Sequence, residues 1–212
     1  MMRSLTAILL ALSLSACAAV TSERPLFAAA DTRGAPVPRP GLWIMPSAGC
    51  RFSPRASAAS WPDCANGALV TPSTITGGRR DATGAFTEAL SYQLAAGDPA
   101  VMELFTPASR DPSDPAILYV GVRPLAADAD GQITQARVWM ALCAPPAIAS
   151  APSNAKVVKL PPGLTPVQGK AYCLARTQAV VRAAIARSET WAFQGKPDDY
   201  GLIARWVRDG EK

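Results

Sequence analysis

Between Phe86 and Cys143 the apolar residues recur at every second position, and this alternation constrains the fold more than any other feature of the chain. In FTEALSYQL one face carries Phe86, Leu90, Tyr92 and Leu94, with Glu88 the exception, and in VMELF Met102 and Leu104 oppose Val101, Glu103 and Phe105. Further on, ILYVGVR puts Leu118, Val120 and Val122 on one face, and ITQARVWMALC does the same with Ala136, Val138, Met140 and Leu142. Successive side chains of a strand point to opposite faces, so a period of two marks strands with one face in a core. The stretch AAGDPA and the Asp-Gly turn in DADGQ supply the reversals, which predicts two hairpins. GLWIM at 41–45 and ALVTPSTIT at 68–76 are weaker strand candidates, since Pro72 demotes the second to an edge or bent strand. GLIARWVR at 201–208 sets Leu202, Ala204 and Trp206 against Ile203, Arg205 and Val207 and reads as a last strand.

The period changes once. In TQAVVRAAIARS the residues Val180, Val181, Ala184 and Ile185 share one helical stripe, and Thr177 stands where an N-cap belongs. Before it runs a proline-rich connection, 144–170, too long for a hairpin loop and expected to wrap the surface. The predicted class is therefore α+β, mostly β: an antiparallel meander of about six to eight strands, either a curved sheet or a small barrel, with one C-terminal helix. The chain has 212 residues, 49% of them apolar, which suits one domain with a real core.

The N-terminus is built differently. Arg3 precedes an apolar run from Leu5 to Ala16, too short for a bilayer span, which needs about 20 residues. The run ends in Leu14-Ser15-Ala16-Cys17, which closely resembles the lipobox of bacterial lipoproteins. That resemblance covers residues 1–17 only. It implies a signal peptide at 1–16, diacylglycerol on Cys17 and, with Ala18 following, anchoring at the periplasmic face of the outer membrane. Residues 17–40, rich in Ala and Pro, then read as the lipidated cysteine and a flexible tether, with a single β-rich domain at 41–212. An exported chain that commits Cys17 to lipid keeps Cys50, Cys64, Cys143 and Cys173, an even number suited to two disulfides in an oxidising compartment. Spacing alone leaves three connectivities open; Cys50 with Cys64 and Cys143 with Cys173 is preferred because each closes a nearby segment.

Chemistry is mostly excluded. The chain contains no histidine, which removes every Ser-His or Cys-His nucleophile, every His base and the His-containing zinc sites. A net charge of +5 is too mild to imply nucleic acid. Charge is unevenly spread, however: residues 131–188 hold seven basic residues and no acidic one, and Lys156, Lys159, Lys170, Arg176, Arg182 and Arg187 form a candidate basic patch for anionic lipid, lipopolysaccharide or an acidic envelope protein. DADG at 128–131 and DPSDP at 111–115 lack the ligand spacing of a calcium loop and read as turns. Glu88 and Glu103 could face one another as a carboxylate pair, though solvent-side positions explain them equally. Ser153 and Lys156 have the S-x-x-K spacing of a Ser-Lys dyad, but in a proline-rich loop and without a K-T-G partner motif. Trp43, Trp61, Trp139, Trp191 and Trp206 read as core and rim packing. No cofactor, metal site or catalytic residue is assigned. The expectation is a non-enzymatic outer-membrane lipoprotein that binds an envelope component through its periplasmic domain. The alternatives are a small histidine-free hydrolase using carboxylates and, were the sheet to enclose an apolar cavity, a carrier of lipid or another hydrophobic ligand.

Overall fold

The computed structural model of the chain describes residues 19–47, 49–80, 86–106, 115–146, 160–168, 170, 172–195 and 200–210. A short strand β1 (Ala19–Thr21) precedes β2 (Gly41–Ile44), β3 (Gly67–Val70), β4 (Thr74–Arg80), β5 (Phe86–Ala95), β6 (Ala100–Phe105), β7 (Ile117–Ala127) and β8 (Ile133–Met140). Then come β9 (Leu164–Pro166), β10 (Tyr172–Ala175), α1 (Gln178–Ala192) and β11 (Leu202–Arg208). The strands β2 to β8 pair in sequence order, all antiparallel, and β11 pairs with both β8 and β2. The meander is thereby closed into an eight-stranded barrel, which removes every free edge from its wall.

The alternation read from the sequence is the inside and outside of this barrel. Met102 lies opposite Leu94 on one side and Val120 on the other, and Val120 lies opposite Met140, all pointing inward. One residue along, Gln93, Glu103 and Tyr119 form the corresponding row on the outer face. The 68–76 stretch is two strands where one was expected. Pro72 sits in the turn between them, where Thr71 N donates to Thr74 O at 2.9 Å and the two threonine hydroxyls lie 2.7 Å apart. A proline that cannot donate to a ladder is accommodated by reversing the chain there.

The described residues between β8 and β11 form a jacket over the outer face of β6, β7 and β8. Helix α1 begins at Thr177, whose hydroxyl accepts from Val180 N, and it buries Val181, Ala184, Ile185, Ser188 and Ala192. Trp139, pointing outward from β8, donates its indole N–H to Ile185 O at 2.9 Å and meets the Phe193 ring edge-on at 5.8 Å. A side chain at position 121 would displace the Trp139 ring, since a Cβ there would lie 2.3 Å from it. The disulfide Cys143–Cys173 ties the end of β8 to β10, and Cys50–Cys64 closes the loop after β2, so both preferred pairings are present.

Residues 19–40 are not a tether. β1 runs parallel to β10 and pairs with β7 at Leu118, and Val20, Thr21 and Phe27 are buried. The barrel wall reaches out to this stretch: Glu103 Oε1 accepts from Leu26 N at 2.8 Å, and Gln93 Nε2 donates to Phe27 O at 2.8 Å. From the jacket, Gln178 Nε2 donates to Leu26 O and Asp31 Oδ2, each at 2.8 Å. An Ala- and Pro-rich segment without periodicity has the composition of a linker, but side chains of the wall bond to its backbone and Val20 and Phe27 are buried beneath it. The folded domain therefore begins by Ala19, not at residue 41.

Candidate ligand cavity

The inner face of the barrel is apolar throughout, yet the side chains do not fill it. A cavity of about 300 Å³ runs through the interior, lined from all eight strands by Trp43, Ala68, Val70, Ile75, Leu90, Met102, Leu104, Val120, Val122, Ala136, Val138, Met140 and Ala204 among others. Eight strands give an interior just wide enough for side chains to fill or for one small ligand to occupy. The choice is made by small inward residues. Ala136 and Ala204 face each other across β8 and β11, and Gly77 on β4 lies beside Ala68 on β3, where a Cβ on the glycine would come within 3.3 Å of the alanine's. Larger residues at these places would close the space.

The polar atoms of the lining are satisfied away from the cavity. Trp43 Nε1 donates to Arg39 O at 2.8 Å, Trp139 Nε1 to Ile185 O at 2.9 Å, and the Tyr200 hydroxyl to Ser188 O at 2.7 Å. With no charged side chain and no spare donor among the lining residues, an occupant would be held by area and shape alone, and an apolar cavity of this kind stays dry when empty.

The two ends of the barrel differ. At the end where β7 turns into β8, residues 37–40 cross the opening. Ile133 N donates to Val37 O at 2.8 Å, Arg39 N donates to Ile133 O at 2.9 Å, and Pro38 forms part of the cavity floor. This plug is clamped by Arg39, whose guanidinium lies 4.0 Å above the Trp206 ring and 3.3 Å from Asp128 and 3.5 Å from Asp209. At the opposite end the cavity continues into a cleft lined by Met45, Pro62, Asp63, Asn66, Gly67, Gly77, Glu88 and Leu202, and the two spaces share Met45, Ala68, Ile75, Leu90 and Leu202. Glu88, the exception in the alternation of β5, has the inward parity of Leu90 and Tyr92 but lies at this mouth, where it is exposed.

Other sequence candidates fall elsewhere. Glu88 and Glu103 do not pair: Glu103 lies opposite Gln93 on the outer face and is fully buried, accepting from Leu26 N, Gln93 Nε2 and, at 3.1 Å, the Tyr119 hydroxyl. It is a structural carboxylate that pins the N-terminal segment. Apolar residues on both faces of AVMELF were the signal that this strand is covered twice. Asp128 acts as a turn residue, its Oδ1 accepting from Asp130 N and Gln132 N at 3.0 and 2.9 Å. No group of three or more metal-ligating side chains is found among the described residues. Of the basic patch, Lys156 and Lys159 lie outside the described residues, as do Ser153 and Cys17. Lys170 and Arg176 are exposed, while Arg182 is drawn over the Phe27 ring at 5.0 Å. Arg187, five residues further along α1, projects about 140° away from Arg182 round the helix axis. Arg182 and Arg187 therefore leave α1 in different directions.

The fold and cavity define a small closed β-barrel with an apolar interior and an external helix. No protein-family model, no curated protein and no solved structure matches the chain.

Proposed function

We propose that this protein is a binding protein for a hydrophobic ligand, carried inside the barrel and held at the outer membrane by lipid on Cys17. The observation that carries the reading is the cavity of about 300 Å³ walled by apolar side chains from every strand of the barrel. Ligand pockets span about 300–1,000 Å³ and are mostly apolar with a few polar groups that fix orientation. Here the polar groups lie only at the mouth, which suits an occupant that is apolar over most of its length. The anchor supports the same reading from another direction, because a carrier of apolar molecules works beside the phase that dissolves them.

The test is titration with 1-N-phenylnaphthylamine, whose emission rises in apolar surroundings. The wild-type protein is expected to bind it at one site. Ala204→Phe, which places a ring in the cavity, should weaken binding at least tenfold while the protein stays folded by circular dichroism. A wild-type protein that leaves the dye unbound, or a folded variant that binds it equally well, refutes the assignment.

A further inference from the structure

We infer that residues 35–40 are a lid on the barrel, latched by Arg39, and that the hydrophobic ligand passes at this end when the latch is released. This rests on the apolar-ligand reading above and adds a route and a control to it.

The segment is built as a stiff rod between two glycines. Residues 36–40 read Pro-Val-Pro-Arg-Pro, and each proline fixes φ and lacks a backbone N–H. Among the described residues two backbone hydrogen bonds join the rod to the wall, both through Ile133, whose N–H donates to Val37 O at 2.8 Å and whose carbonyl accepts from Arg39 N at 2.9 Å. A strand of the wall is laddered on both sides; this rod is not. Gly34 and Gly41 flank it with φ of +74° and +130°, where a residue with a side chain is strained. Around Gly34 a side chain would meet nothing within 4 Å, so the chain has room to turn there, whereas Gly41 is wedged against Arg208 O and keeps the rod attached to β2.

The rod is what closes this end. Pro38 lies on the cavity, and the turns of the rim, 71–73, 96–99 and 128–132, have three to five residues each, too few to fold back over the mouth. Trp43 and Trp206, which lie opposite one another on β2 and β11, donate their indole N–H groups to Arg39 O at 2.8 Å and Pro40 O at 3.1 Å. Two large apolar side chains stand in water at the same end, Val37 at 53% exposure and Leu125 at 45%. They continue the apolar surface of the cavity outward past the rod.

The latch is a single side chain. The Arg39 guanidinium lies 4.0 Å above the Trp206 ring, 3.3 Å from Asp128 in the β7–β8 turn and 3.5 Å from Asp209 just past β11. It thereby ties the rod to two separate parts of the rim. The Arg39 side chain is 30% exposed and that of Asp209 78%. Contacts as open to solvent as these each hold a factor of about two to five in the ratio of closed to open forms. Salt weakens exposed charge pairs, so ionic strength controls the lid.

Stopped-flow kinetics of phenylnaphthylamine, an uncharged probe, test the proposal. A lid that closes alike over an empty and a filled barrel gates both directions equally. Arg39→Gln should therefore bind and release the dye at least about fivefold faster at low salt, with Kd unchanged within about twofold. Asp209→Asn, which removes one exposed contact, should fall between Arg39→Gln and wild type. Raising sodium chloride from about 0.01 M to about 1 M shortens the screening length from about 30 Å to about 3 Å. Both rates of the wild type should then rise several-fold, while those of Arg39→Gln stay where they are. Wild-type rates that respond neither to salt nor to Arg39→Gln would mean that the dye passes by the cleft, and would overturn the lid while leaving the apolar-ligand reading standing. Faster release with unchanged association would also overturn it, since Arg39 would then shape the cavity without gating it. Failure of the wild type to bind the dye at all removes the apolar-ligand reading and the lid together.

Discussion

The two faces of the barrel wall are both apolar, but they are used in opposite ways. Outside, Val101, Tyr119 and Trp139 are sealed beneath β1, β10 and α1, and the polar groups trapped with them are bonded: the Ser22 hydroxyl to the Tyr119 hydroxyl at 2.6 Å, and both oxygens of Glu103. Inside, Val120, Val122 and Met102 surround open space, and no charged side chain lines it among the described residues. In most small domains the densest packing lies at the geometric centre. Here many of the most fully buried large side chains, such as Trp139, Tyr119 and Ile185, lie to one side, between wall and jacket, while the centre is hollow. Stability and binding are thus assigned to different faces of the same strands, and substitutions on the two faces should separate them.

The largest separation is expected at the tryptophans. Trp139→Ala removes a buried ring and the partner of Ile185 O, and should cost about 3–5 kcal/mol by denaturant unfolding. Trp43→Phe keeps most of the ring volume on the inner face, so it should cost less than about 1.5 kcal/mol. If the two variants lose equal stability, the claim that the jacket holds the core fails. Next in size is the jacket's own staple. Cys143–Cys173 closes a sequence separation of 30 residues, for which loop entropy gives about 3.6 kcal/mol. Replacing both cysteines by alanine should lower the unfolding free energy by that order while phenylnaphthylamine binding at low temperature is retained. Loss of binding in protein that is still folded would show that the jacket shapes the cavity as well as supporting the wall.

How far the sequence could be read follows the same division. The inner face was legible: Leu118, Val120 and Val122, then Ala136, Val138 and Met140, then Leu202, Ala204 and Trp206 all have the parity the period of two predicts. The helix and its Thr177 cap were legible for the same reason, a local pattern with a local cause. The jacket was not. β1, β9 and β10 span only three, three and four residues, too few for any period to show, and their partners lie far away in sequence. Glu103 looks like a solvent-facing strand carboxylate because the N-terminal backbone that satisfies it is 77 residues distant. The cavity itself was invisible, since an inward alanine such as Ala136 looks the same in sequence whether its neighbours close over it or leave a space.

Alkaline unfolding sharpens the comparison more gently. Tyr92 on the inner face is buried, its hydroxyl donating to Thr71 O at 2.7 Å, and burial pushes its phenol from 10.0 up to about 12. Burial also raises the Tyr119 phenol on the outer face. A raised folded value means that the unfolded chain releases its proton first. The contribution of each tyrosine is whole below pH 10, and it is lost as pH rises through the folded value. Unfolding free energy should therefore fall on the order of 2 kcal/mol between pH 9.5 and 12 through Tyr92. Tyr92→Phe should flatten that part of the slope while costing about 1 kcal/mol for the lost hydrogen bond at neutral pH. An unchanged slope would mean that Tyr92 ionises as freely folded as unfolded.

The smallest effect expected is the most telling. Adding methyl groups to a packed core costs about 1–3 kcal/mol, because neighbours must move. Gly121→Ala adds one methyl on the outer face, 2.3 Å from the Trp139 ring, and should fall in that range. Ala136→Val adds two on the inner face, next to the cavity and opposite another alanine. They enter space that is already apolar and empty, so the change should stay within about 1 kcal/mol and could be stabilising through the area it buries. It should also weaken phenylnaphthylamine binding, since the added methyls take up part of the cavity. A folded Ala136→Val protein that binds the dye as tightly as wild type would place the ligand elsewhere. An Ala136→Val penalty as large as that of Gly121→Ala would mean that the interior is packed after all, and the contrast between the two faces of the wall would be lost.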